Sequence, residues 1–275
     1  MVTGPVASLP MDDAELAVTT VEAGARVVRS GFGGVLTRFY KGGGDFATDV
    51  DVEAERIITE LLLTNRPADR VIGEESGERG VAGSKRCWLV DPLCGTLNFA
   101  AGTGPVAVNV ALREGETVAA AAVTDPLGAV TYWTDGAGAW RRTRGEDRQL
   151  EPSAVSNLVD LNLDAPMFHY RPSRTIGLVV EKAFLSQFRP RVVSTSLALV
   201  WVACGQRAAY VSDGHLRGSV HFTPGIALCQ AAGCVVTNLQ GGPIHTGEEG
   251  LIAAADRSTH EALLAIINRM SRGGT

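Results

Sequence analysis

The sequence predicts a layered α/β protein, and three observations predict it. Short apolar runs of strand length alternate with segments whose apolar residues recur at helical spacing. Gly, Pro and Asp turns separate these segments. The alternation continues through both halves of a 275-residue chain, long enough for a large core in one or two domains.

The elements follow in order. Met11-Asp12-Asp13-Ala14-Glu15 is an acidic helix start. Leu16, Val18, Val21, Ala25 and Val28 then recur at helical spacing until Gly31 and Gly33-Gly34 end it. Gly42-Gly43-Gly44 predicts a flexible loop. A second helix spans about Asp51 to Asn65, with Ile57, Ile58, Leu61 and Leu62 on its apolar side and Pro67 beyond its end. Arg70–Gly73 and Cys87–Val90 read as buried strands. Val106–Leu112, Ala119–Val123 and Val130–Trp133 read as further strands. Gly145-Glu146-Asp147-Arg148 and Pro152-Ser153 read as a junction between an N-terminal half, 1–150, and a C-terminal half, 151–275. In the second half, Ile176–Val180, Ala208–Val211 and Val235–Thr237 are expected strands. Leu197–Ala203, Pro224–Ala232 and His260–Arg269 are expected helices. No internal repeat or low-complexity segment is present.

Composition narrows the function classes. Hydrophobic residues make up 45% and charged residues 20% of the chain, the balance of a globular protein. Net charge is -5 with no basic run, so nucleic acid is not an expected partner. No apolar stretch is long enough to span a bilayer. The N-terminus lacks the charged and apolar regions of a signal peptide, so a cytoplasmic protein is expected, with no membrane partner. Five cysteines without Cys-x-x-Cys pairs indicate neither a disulfide framework nor a zinc knuckle. Cys87, Cys204, Cys229 and Cys234 sit among apolar neighbours and read as buried small side chains.

One segment carries most of the functional information: Val90-Asp91-Pro92-Leu93-Cys94-Gly95-Thr96-Leu97-Asn98-Phe99. It resembles the signature of the inositol monophosphatase family, Asp-Pro-x-Asp-Gly-Thr-x-Asn-Phe, with Cys94 where the family has its second aspartate. The family's other segments follow in order. Asp45, Thr48, Asp51 and Glu55 match an Asp-x-x-Thr-x-x-Asp-x-x-x-Glu segment. Gly73-Glu74-Glu75-Ser76 matches Gly-Glu-Glu-Ser, and Gly136-Ala137-Gly138-Ala139 resembles a Gly-x-Gly-Ala turn. Val220-His221-Phe222-Thr223-Pro224-Gly225 occupies the place of Trp-Asp-x-Ala-Ala-Gly. Counting back from Gly233 through Gly225 puts His221 where the family has its third metal aspartate.

The resemblance implies a layered αβαβα sandwich with a site in the cleft between the halves. The N-terminal α+β half would carry Glu74, Asp91 and Cys94, and the C-terminal α/β half His221. It implies phosphomonoester hydrolysis assisted by Mg²⁺, whose hard charge calls for several oxygen ligands. Glu74, Asp91 and the Leu93 carbonyl would hold the first ion. Asp51 and Thr96 would orient and deprotonate the attacking water. The second ion would need Asp91 plus the groups at 94 and 221, here a thiol and an imidazole. A homodimer is implied as well.

Three readings of this double change stand open. The first is repurposing to thiol chemistry without a cofactor. Cys94 is then the nucleophile, His221 the base and Asp91 its orienter, with a helix N-terminus after Gly95 lowering the thiol pKa. Amides after Cys94, at Gly95 and Thr96, would form an oxyanion hole, and a small molecule, a CoA thioester or a carrier-bound one would be the substrate. The second is a Mg²⁺-dependent phosphatase of a sugar phosphate, inositol phosphate or 3′-phosphonucleotide, with a softer ion in the second place. The third is a non-catalytic binding protein, against which the retention of Asp51 and Thr96 counts. Ser194-Thr195-Ser196 falls in the family's substrate wall, and Asp213 near a position that selects substrate. Taken alone, Asp51 reads as a helix N-cap, Glu74-Glu75 as a solvated turn, and Cys94 and His221 as structural groups. His169, His215, His245 and His260 have no identifiable partner in the sequence.

Overall fold

The computed structural model describes residues 11–42, 45–164, 173–214, 216–244 and 250–273. His169, His215, His245, Gly43 and Gly44 lie outside them. Two helices lead, α1 (Asp13–Gly31) and α2 (Asp49–Asn65), with the hairpin β1 (Arg38–Gly42) and β2 (Asp45–Thr48) between them. Asp12 caps α1 by accepting from the Glu15 amide at 2.8 Å. Leu16, Val18, Val21, Ala25 and Val28 are buried as their spacing requires. On α2, Ile58 and Leu62 are buried, while Ile57 and Leu61 are half-buried at its flank.

The first sheet has eight strands. They are β3 (Arg70–Gly73), β4 (Gly77–Gly80), β5 (Arg86–Cys94), β6 (Ala107–Glu114), β7 (Thr117–Asp125), β8 (Val130–Thr134), β9 (Ala139–Thr143) and β10 (Glu146–Gln149). Their order is β10-β9-β8-β7-β6-β5-β3-β4, and only β3 and β5 pair in parallel. The short helix α3 (Thr96–Ala100) follows β5. The second sheet holds β11 (Leu158–Asn162), β12 (Arg189–Val192), β13 (Ala209–Ser212), β14 (Val235–Thr237) and β15 (Leu251–Ala254), in the order β12-β11-β13-β15-β14. Its helices are α4 (Arg174–Leu178), α5 (Lys182–Gln187), α6 (Leu197–Ala203), α7 (Thr223–Ala231) and α8 (Arg257–Gly273).

Strand periodicity sorts these elements into layers. Val108, Val110 and Leu112 of β6 face α1 and α2 in one apolar core. On the opposite face Ala107 and Val123 join Leu199, Val202, Leu228, Tyr210 and Ala253, so α6 and α7 lie between the sheets. Val159, Leu161, Val211 and Ile252 point the other way, onto Leu178 of α4, Phe184 of α5 and Leu263 and Ile267 of α8. The result is the αβαβα order. Among the described residues no helix is long and apolar enough to cross a membrane.

Several expectations are corrected. Ile176–Val180 is not a strand; the segment belongs to α4 and the turn after it. A short apolar run does not distinguish strand from helix. Here Ser173 caps the helix, Thr175 and Leu178 turn inward, and Ile176 and Val180 face solvent. Gly145–Arg148 is not a junction. Arg144 and Gly145, at φ 53° and 80°, turn β9 into the exposed edge strand β10. His260 has a partner: its Nε2 lies 2.7 Å from the Thr237 hydroxyl. All five cysteines are free; Cys87 and Cys229 are buried, Cys204 and Cys234 only half-buried.

Candidate active site

The parallel pairing of β3 and β5 brings two carboxylates to the same end of the sheet. Gly73 sits opposite Val90, and the Glu74 amide donates to the Val90 carbonyl at 3.1 Å. Glu74 thus emerges beside Asp91. A register shift between Asp91 and Cys94 frees the end of β5 from β6. Gly95 then turns the chain into α3 at φ 98°, where a Cβ would stand 3.0 Å from the Pro105 carbonyl oxygen. Only glycine takes that turn without strain.

Glu55 of α2 fixes the loop that carries Glu74. Its buried carboxylate accepts from the amides of Glu75 and Ser76, both at 2.7 Å. Gly73 makes room for it, since a Cβ there would overlap the Glu55 carboxylate. Gly73→Ala is therefore expected to destabilise the fold by about 1–3 kcal/mol, read as a lower urea midpoint. An unchanged midpoint would show that the loop yields freely.

Glu74 and Asp91 are crowded and largely buried. Burial, then the neighbouring Asp91 charge, raises the Glu74 pKa to about 8. Its Oε2 is buried without a hydrogen-bond partner. Lys41 of β1 reaches Glu74 from outside at 3.2 Å and its neighbour Glu75 at 2.7 Å. Burial opposes the Lys41 charge, but the two glutamates outweigh it and raise its pKa. The Glu74-Glu75 turn is thus an acidic cradle and not a solvated turn. A crowded carboxylate with an orphaned oxygen is an arrangement that a bound cation completes.

Asp51 is not the N-cap of α2. Thr48 is, and Asp51 closes a capping box by accepting from the Thr48 amide at 2.8 Å and hydroxyl at 2.5 Å. Those bonds use Oδ2. Oδ1 faces Thr96, whose hydroxyl lies 3.1 Å from it and 3.0 Å from the Leu93 carbonyl oxygen. Burial raises the Asp51 pKa to about 6 against these hydrogen bonds. A carboxyl group poised there can take a proton near neutral pH.

Cys94 and His221 come together as the motif count implies. His221 precedes α7 (N-cap Phe222), and its Nδ1 lies 2.7 Å from Asp91 Oδ2 and 3.9 Å from Glu74 Oε2. Asp91, Cys94 and His221 each offer a ligand atom within 4.8 Å of the others. Burial opposes the imidazolium, but the Asp91 charge and hydrogen bond hold His221 well above its ordinary pKa. Burial likewise opposes the Asp91 charge, and His221 overcomes it to hold that pKa down. The thiol responds in the other direction. Burial, then the Asp91 charge, pushes Cys94 up despite His221 and the Ser196 amide. The expected thiol-activating helix end is slight: α3 has five residues.

Of the substrate-wall residues, Thr195 and Ser196 meet Cys94. The Thr195 hydroxyl lies 3.5 Å from the Cys94 carbonyl oxygen, and the Ser196 amide 3.2 Å from Sγ. The Ser194 hydroxyl instead bonds Asp164. Asp213 Oδ2 accepts from the Ser173 hydroxyl and Thr175 amide at the start of α4. Two contributors carry no motif: Lys41, and Asn109, whose Nδ2 donates to Asp91 at 3.1 Å. A buried asparagine inside the apolar run of β6 is a signal that could have exposed the last.

The family profile described as "Inositol monophosphatase family" matches residues 11–272. An inositol-1-monophosphatase of Caulobacter vibrioides is 30% identical over 82% of this chain and 88% of its own. One from Rhizobium meliloti is 33% identical over 83% and 85% respectively. The solved Thermotoga maritima IMPase superposes with a TM-score of 0.79, covering 96% of this chain and 99% of its own at 19% identity. The profile spans the first turn of α1 through the end of α8, including both sheets and every residue of the carboxylate, thiol and imidazole cluster, so this chain belongs to the inositol monophosphatase family.

Proposed function

We propose that the chain is a divalent-cation-dependent phosphomonoesterase acting on a small phosphorylated molecule, a sugar phosphate, inositol phosphate or 3′-phosphonucleotide. The observation that carries this reading is the Thr96 hydroxyl held between Asp51 Oδ1 and the Leu93 carbonyl, together with the orphaned Glu74 Oε2. The residues fit a hard ion at the first site. Glu74, Asp91 and the Leu93 carbonyl would hold Mg²⁺. When bound there, Mg²⁺ supplies charge against the phosphoryl oxygens and lowers the pKa of water. The chain's own residues do the rest. Thr96 donates to Asp51 and leaves its oxygen lone pair to orient a water. Asp51 receives the proton, its pKa of about 6 being low enough to leave it ionised at neutral pH. Lys41 balances an anionic substrate at the rim.

The names of the relatives support hydrolysis, since several are inositol-1-monophosphatases. The raised Cys94 pKa weighs against an activated thiol nucleophile. The test is phosphate release from a panel of the three substrate classes, with chelator-stripped protein before and after adding Mg²⁺. Release that requires the ion supports the reading. No release from any member, with thioester cleavage blocked by alkylating Cys94, would replace it with the thiol reading.

A further inference from the structure

The second family position does not fit magnesium, because two of its three side-chain ligands are a thiol and an imidazole. We propose that Asp91, Cys94 and His221 form a site for a borderline-soft divalent ion of the Zn²⁺ class, with one coordination position left open. This deepens the phosphomonoesterase reading and rests on it for the ion's purpose, though not for its binding.

Four observations support the site. The three ligand atoms lie within 4.8 Å of one another, so small side-chain rotations bring them to Zn–S and Zn–N bonding distances of about 2.0–2.3 Å. Carboxylate, thiolate and imidazole are a donor set that zinc accepts and magnesium does not. The ligands are held from behind, as metal ligands are. The Ser196 amide donates to Sγ at 3.2 Å, a bond that strengthens as the sulfur gains charge. The Ser196 hydroxyl also donates to Asn109 Oδ1 at 2.8 Å, and Asn109 donates in turn to Asp91. One residue therefore steadies two of the ligands.

The fourth observation concerns the open position. Glu74 Oε2, buried without a hydrogen-bond partner, stands 3.9 Å from His221 Nδ1. A water or a substrate oxygen on that side would meet both this ion and the first site. The two sites share Asp91, which is fully buried. His221 Nδ1 and Asp91 Oδ2 already stand 2.7 Å apart.

The experiment uses the full-length protein, stripped with chelator and reloaded with Zn²⁺ or Co²⁺ in excess Mg²⁺. Metal content after dialysis and the near-ultraviolet thiolate-to-cobalt band are the readouts. Expected are one retained Zn²⁺ per chain and a cobalt band absent from Cys94→Ser. His221→Gln is expected to weaken Zn²⁺ binding by more than about 100-fold, the upper range for outer-sphere partners. The paired Cys94→Asp and His221→Asp exchange, with its fold checked by circular dichroism, is expected to retain no Zn²⁺ against Mg²⁺. The proposal is overturned if Zn²⁺ is not retained, or if Cys94→Ser leaves the retention and cobalt spectrum unchanged. Mg²⁺-driven phosphate release without Zn²⁺ retention would sink this site and leave the phosphomonoesterase standing. Zn²⁺ retention without release from any phosphomonoester would support the site and sink the phosphomonoesterase.

Discussion

Asp51→Asn lowers phosphate release by about 10²–10⁴-fold while leaving metal content unchanged. The asparagine preserves the size of the side chain and can still accept from Thr48, so α2 keeps its capping box. What it loses is the ability to take a proton at Oδ1, the oxygen facing Thr96. Thr96→Val should have a similar effect, because the valine keeps the volume and removes the hydroxyl between Asp51 and Leu93. The pH profile supplies an independent check. The folded-state pKa of Asp51 is raised to about 6, so the carboxylate is the available base above that pH and is protonated below it. Activity of the wild type should fall as pH drops through about 6. An acidic limb that persists in Asp51→Asn would assign it to another group.

Trp88→Ala should be the most damaging single change to the fold, at about 3–5 kcal/mol, with Tm lower by roughly 10 °C. Trp88 is fully buried in β5 against α1 and α2. Its indole Nε1 donates to Asp69 at 2.9 Å, and Asp69 also accepts from Arg86. Alanine removes the ring's volume and one of these bonds together. Trp88→Phe keeps most of the volume and leaves Asp69 paired with Arg86, so its cost should be nearer to about 1–2 kcal/mol. Equal losses in the two variants, by urea titration, would show that the hydrogen bond dominates over packing. The strand matters beyond stability, because its far end presents Asp91, Leu93 and Cys94.

The parts of the fold that were legible in the sequence are those whose burial is one-sided and local. The apolar spacing of α1 names its buried face residue by residue, and the runs of β5 through β8 are long enough to show as strands. The edge strands β1, β4 and β10 are exposed along their whole length and carry no apolar pattern. β11 was missed for a different reason. Asp160 interrupts its apolar run, yet is fully buried because Arg207 reaches it at 2.8 Å from the loop between α6 and β13. α4 is hidden in the sequence because its cap, Ser173, and the acceptor behind it, Asp213, are 40 residues apart.

The site divides in the same way. Asp51, Glu74, Asp91, Thr96 and the Cys94 and His221 exchanges lie within contiguous motifs, so their family roles could be assigned before any geometry was known. Lys41 acts on a group 33 residues away, and nothing in its own neighbourhood marks it; Ser196 lies in the substrate wall, but its bond to a thiol 102 residues away is not legible there. The state of the thiol was equally hidden. A Cys-His pair suggests activation, but the outcome depends on burial and on the Asp91 charge beside it, both set by tertiary packing.

The most direct measurement is phosphate release by chelator-stripped protein with Mg²⁺ alone and with Mg²⁺ plus Zn²⁺, run beside Asp51→Asn and beside wild type alkylated at Cys94. The account predicts no release without a divalent ion, restored release with Mg²⁺ and Zn²⁺ together, and background release from Asp51→Asn. Release that ignores the chelator and the Asp51 substitution would contradict it. So would a protein silent on every phosphomonoester that cleaves a thioester until Cys94 is alkylated.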